Sequence, residues 1–97
     1  MNPNQDPKAF YAKLKEQLLD TSTWPSEYLY KFIVLTDATK IKQIEDVFDN
    51  LGAVINTKAS SNGKYTSVSI DVQMKNPDAV IGKYQEIAEK VEGVISL

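Results

Sequence analysis

The sequence contains no cysteine, no histidine and no arginine. Without cysteine there is no disulfide, no thiolate metal site and no sulfur nucleophile. Without histidine the usual general base at neutral pH and the commonest metal ligand are missing. Without arginine there is no bidentate clamp for phosphate or carboxylate, and all 11 basic residues are lysine. Neither sign of charge dominates. The formal net charge of −2 gives no overall attraction to nucleic acid or to an anionic membrane. No apolar run approaches the ~20 residues that span a bilayer. The first residues, Met1-Asn2-Pro3-Asn4-Gln5-Asp6, have neither the basic segment nor the apolar stretch of a secretory signal. These absences point to a cytoplasmic, non-catalytic protein with no metal or cofactor and no membrane attachment.

What is present is ordinary globular material: 42% hydrophobic and 25% charged residues in a chain of 97, enough for one core. Asp6-Pro7 marks a helix start, and Phe10, Tyr11, Leu14, Leu18 and Leu19 follow at helical spacing. Thr21 to Ser26, with Pro25, breaks the pattern. Residues 1–26 therefore read as an amphipathic helix and linker, and 27–97 as the domain proper.

Tyr28 to Leu35 is a strand with Tyr28, Tyr30, Phe32 and Val34 on one face. Thr36 or Asp37 caps a helix carrying Ile41, Ile44, Phe48 and Leu51, with Gly52 at its end. Asn62-Gly63 predicts a two-residue turn with both residues at positive φ. That turn pairs Ala59 with Thr66, Thr57 with Val68 and Ile55 with Ile70, separating an apolar face from a polar one. Asn76-Pro77-Asp78 starts a last helix with Val80, Ile81, Tyr84, Ile87, Ala88 and Val91 as its stripe. Gly93 ends it, and residues 94–97 form a final strand. The order strand, helix, strand, strand, helix, strand predicts an α+β, ferredoxin-like βαββαβ sandwich. Its sheet is antiparallel, in strand order 4-1-3-2, with both helices on one face and the N-terminal helix in addition.

The residues Tyr30-Lys31, Ser60 or Ser61, Gly63-x-Tyr65-x-Ser67-Val68-Ser69, Tyr84 and Val94-x-x-Leu97 resemble the YbeD-like family of small, functionally uncharacterised bacterial proteins. The resemblance covers about residues 26 to 97. It implies a ferredoxin-like fold similar to the ACT domains that regulate amino-acid metabolism, and it implies no particular activity or site. Amino-acid-binding ACT domains carry glycine in the loop after their first strand. Here that loop is Leu35-Thr36-Asp37-Ala38-Thr39, without glycine.

The sheet face away from the helices is the candidate interaction surface. It is expected to present Leu29, Lys31, Ile33, Tyr65, Ser67, Ser69 and Asp71, together with Asn56, Lys58, Gln73 and Ile95. Lys31 in a central strand needs a polar neighbour, which Asp71 or Ser69 can supply. The N-terminal helix is expected to dock on this face through Phe10, Leu14 and Leu18, with Trp24 or Tyr11 touching it. The first reading is thus a regulatory or interaction module, ACT-like, acting through a protein partner or small ligand, with a homodimer as one form.

A weak RNA binder is the second reading. Tyr65 stands near a base-stacking position of RNA-recognition domains, but Ser67 replaces the next ring, so nucleic acid is not the expected partner. A small hydrolase of acylphosphatase type is third, and it lacks the arginine such enzymes use. Glu45, Asp46 and Asp49 read as a solvated helix face rather than a metal site. Ser60-Ser61-Asn62-Gly63 reads as turn chemistry.

Overall fold

A computed structural model describes residues 7–96. Its elements are α1 (Pro7–Thr21), β1 (Ser26–Leu35), α2 (Ala38–Val47), β2 (Val54–Ala59), β3 (Tyr65–Met74), α3 (Pro77–Lys90) and β4 (Ile95–Ser96). The strands form one antiparallel sheet in the order β2-β3-β1-β4. Counted from the β4 edge, that is 4-1-3-2. The protein is an α+β ferredoxin-like fold.

Alternation along the two ten-residue central strands builds the core. Tyr30, Phe32 and Val34 on β1 pair with Ile70, Val68 and Thr66 on β3, and all six are buried. Ile44, Val47 and Phe48 from the α2 end and Val80, Tyr84 and Ile87 from α3 close over them. Each large side chain so buried contributes roughly 1.5–3 kcal/mol. The Tyr30 ring lies 4.9 Å from the rings of both Phe48 and Tyr84. Its hydroxyl donates to the Val80 carbonyl at 2.9 Å, while the Tyr28 and Tyr84 hydroxyls meet at 2.8 Å. Polar tips in an apolar nest are tolerable because each is hydrogen-bonded.

The helix starts follow their capping residues. Asp37 accepts from the Thr39 amide at 2.8 Å and Asn76 from the Ala79 amide at 2.8 Å. Thr36 does not cap α2; its hydroxyl bonds that of Thr66 at 2.9 Å. The cap expected at Asp6 lies outside the described residues, as does Leu97.

Four expectations need correction. First, α2 ends at Val47, earlier than its apolar spacing suggests: the Phe48 and Asp49 amides donate three residues back, to the Glu45 and Asp46 carbonyls, and the backbone then turns left-handed at Asn50 (φ 68°) and Gly52 (φ 70°). Leu51 thereby leaves the helical stripe and is exposed. Second, Ala88 is exposed, since the buried stripe of α3 runs through Val80, Ile81, Tyr84 and Ile87 to Val91.

Third, the hairpin loop is longer than two residues. The Gly63 amide donates to the Ser60 carbonyl at 2.9 Å, which puts Ser61 and Asn62 at the turn centre, and Gly63 alone of the pair has positive φ (74°). Ser60 and Tyr65 close the ladder, the Ser60 amide donating to the Tyr65 carbonyl at 2.7 Å. A two-residue and a four-residue loop share the same centre, so Ile55 still faces Ile70 and the two faces stand as read.

Fourth, α1 packs against α3 and not on the sheet. Tyr11, Leu14, Leu18 and Trp24 are half-buried against the helix side of the core. Lys15 pairs with Asp78 at 3.0 Å, and the Trp24 indole donates to the Leu18 carbonyl at 3.1 Å. Beside α3, Tyr11, Leu14 and Leu18 reach the buried core. The sheet's other face is interrupted by lysine and aspartate, and an α1 placed there would strip them of water.

Candidate functional site

With all three helices on one side, the other side of the sheet is bare among the described residues. The register arranges it in rows. Val54, Asp71 and Leu29 form one row across β2, β3 and β1. Asn56, Ser69 and Lys31 form the next, then Lys58, Ser67, Ile33 and Ile95, and finally Tyr65 beside Leu35. Five large apolar side chains are exposed there: Leu29 by 62%, Val54 by 61%, Ile95 by 51%, Leu35 by 46% and Tyr65 by 40%. Monomers seldom leave so many together without a use.

Of the charged residues on this face, Lys31 and Asp71 stand on the two central strands, Lys58 on the β2 edge and Glu27 at the start of β1. Lys31 and Asp71 are both exposed, and no ion pair joins them among the described residues. The polar partner expected for Lys31 in Asp71 or Ser69 is not engaged among the described residues, although Ser69 stands beside it in register. Ser67 donates to the Lys58 carbonyl at 3.3 Å. The Lys64 ammonium sits 5.6 Å from the Tyr65 ring centroid, so one face of that ring is already taken by a cation.

Seven of the residues anticipated as an interaction surface are brought together: Leu29, Lys31, Ile33, Tyr65, Ser67, Ser69 and Asp71. Phe10 and Leu14 are separated from them, because α1 lies with the helices. Val54 and Leu35 belong to the face and were not in the anticipated set. Their signal was present in the pairings of Val54 with Asp71 and of Leu35 with Tyr65, which put both on the polar side of the register.

Elsewhere the chemistry is local. An open concavity of about 750 Å³ lies between α2 and β2, floored by Phe48, Ala53 and Ile55 and rimmed by Lys42 and the acidic residues. Asp46 pairs with Lys42 at 3.4 Å and Asp49 accepts from the Asn50 amide at 3.1 Å. No set of carboxylates converges as a cation site among the described residues. At the hairpin tip, Asn62 Oδ1 accepts from the Lys64 amide and from the Ser60 hydroxyl, each at 3.0 Å. Ser60 Oγ accepts in turn from the Tyr65 amide at 3.1 Å. These groups are spent on the turn itself.

A family model described as "Protein of unknown function (DUF493)" matches residues 20–95. The chain belongs to this family. Relatives described as UPF0250 proteins, from Haemophilus influenzae strains PittEE, PittGG and KW20 Rd, are each 36% identical over 87 residues. The alignments cover 87% of this chain and 89% of theirs. The YbeD-like resemblance carried by Tyr30-Lys31 and by the run from Gly63 to Ser69 is thus a true membership. No solved structure matches significantly. The DUF493 match begins within the last turn of α1, leaving most of that helix outside it. No helix among the described residues is long and apolar enough to cross a membrane.

Proposed function

We propose that this DUF493 protein is a non-catalytic regulatory or interaction module, ACT-like in shape, that works in the cytoplasm by holding a protein partner on the bare face of its sheet. The observation that carries the reading is the exposed group Leu29, Val54, Ile95, Leu35 and Tyr65 around Lys31 and Asp71, with every helix on the opposite side. A sheet face is broad and nearly flat. It suits a protein surface better than a small molecule, which binds where it can be enclosed. Serine, lysine and aspartate stand on the face, but no hydrogen bond joins Ser69 to Lys31 among the described residues, and the sequence has no histidine or cysteine to act as base or nucleophile.

The test is a photoreactive residue placed at Leu29 or Val54 of the full chain in its native cells, with Glu16 on α1 as the control position. One defined chain, identified by mass spectrometry, should cross-link from the sheet positions and not from Glu16. Asp71→Lys should abolish the adduct. Absence of any adduct from both sheet positions, or an equal adduct from Glu16, would remove the reading.

A further inference from the structure

We infer that the occupant of the bare sheet face is a second copy of this chain, related by a two-fold axis that sets the two sheets crossed at a steep angle. The inference rests on the reading of that face as a partner surface and names the partner. What carries it is self-complementarity at the centre of the face. Lys31 stands opposite Ser69, and Asp71 opposite Leu29, so Lys31 and Asp71 are diagonal neighbours on adjacent strands. Such neighbours lie roughly 7–8 Å apart. Both are exposed, and neither has an ion-pair partner among the described residues.

Consider an axis in the plane between two stacked copies, perpendicular to the line from Lys31 to Asp71 at its midpoint. It exchanges the two positions, so each lysine comes to face the aspartate of the other copy and two reciprocal ion pairs form. The consequences for the rest of the face follow from ladder spacings of about 4.8 Å between strands and about 6.8 Å between same-face residues. Leu29 meets Leu29, Ser69 meets Ser69, and Val54 comes over Ile33. Lys58 and Glu27 both fall beyond the edges of the other sheet, so no like charges are opposed. The strands cross at roughly 70°, close to the orthogonal class of sheet packing. The helices, all on the far side, do not obstruct the approach.

Charge at the centre fixes register and excludes slipped pairings more than it adds affinity. Crossed sheets of this width overlap over a few hundred Å² per copy, below the ~800 Å² of a standard interface. The dimer is therefore concentration-dependent and reversible.

Sedimentation equilibrium of the full chain, from micromolar to millimolar, is the experiment. The wild-type mass should rise from one chain toward two. Lys31→Asp and Asp71→Lys should each weaken self-association by about tenfold or more, since each sets like charges face to face. An equimolar mixture of the two variants should recover the dimer, because each supplies the charge the other has lost. Both positions are exposed, and unchanged circular dichroism confirms that the variants fold. A wild type that stays monomeric throughout, reversals that associate like wild type, or a mixture that recovers nothing would each overturn the inference. A foreign chain cross-linked from Leu29 would then still leave the partner-surface reading standing, so the two can fail separately.

Discussion

Replacing Gly63 changes a backbone that only glycine adopts freely, at φ 74°, in a place where a side chain would meet nothing within 4 Å. The cost is therefore backbone strain alone. Gly63→Val should destabilise by about 1–2 kcal/mol and Gly63→Asn by clearly less, as urea midpoints will show. The buried tyrosines make a different test. Burial raises the Tyr30 and Tyr84 hydroxyls above the ordinary tyrosine value, and the bond to Tyr28 raises Tyr84 further. The unfolded chain releases these protons near pH 10 while the folded chain keeps them. Stability from this source is complete below pH 10 and falls above it, by up to about 1.4 kcal/mol per pH unit for each hydroxyl. Denaturant titrations at pH 9 and 11 should show the fall, and Tyr84→Phe should make it shallower. A flat profile would mean that the hydroxyls are not held as the 2.8 and 2.9 Å bonds imply.

At the level of elements, the sheet was legible and the placement of α1 was not, for one physical reason. Strand register follows from a period of two and a turn centre, both local, so the pairings from Val54 to Ala59 could be counted outward from Asn62-Gly63 even though the loop closes differently. A helical stripe such as Tyr11, Leu14 and Leu18 states only that something covers it. Choosing between α3 and the bare sheet depends on how charges such as Lys31 and Asp71 would be desolvated, which no spacing records. Deleting residues 1–21 should therefore shift the amide resonances of α3 and leave those of Leu29, Val54 and Asp71 in place. With three half-buried apolar residues lost, stability should fall by about 2–3 kcal/mol. Perturbed sheet amides with a silent α3 would contradict the observed docking.

For the whole molecule, a formal net charge of −2 gives little self-repulsion at neutral pH, and less still near the sequence isoelectric point of about 5.0. A bare face carrying Leu29 and Val54 then meets others of its kind with the least opposition. Light scattering should show association rising as pH falls from 7 toward 5, and Leu29→Lys should suppress it. The candidate site was legible to the extent that alternation sorts faces: seven of the anticipated residues share the bare side of the sheet. Phe10 and Leu14 were misplaced with α1. Leu35 and Val54 fall on that face by the same alternation and were left out of the anticipated surface, because an apolar residue on the polar side of a register looks like an exception until its neighbours are known.

The closed turn at the hairpin tip also bears on how this protein ages. Asparagine followed by glycine is the sequence most prone to lose ammonia, the following amide nitrogen attacking the side-chain carbon to form a cyclic imide. Here the Gly63 amide is committed to the Ser60 carbonyl, and Asn62 Oδ1 holds two donors of its own. Attack requires breaking those bonds, so the clock runs only when the hairpin opens. Peptide mapping after prolonged incubation should find isoaspartate at position 62 slowly in the native protein and quickly in urea. The folded hairpin is, in this sense, a preservative for its own weakest bond.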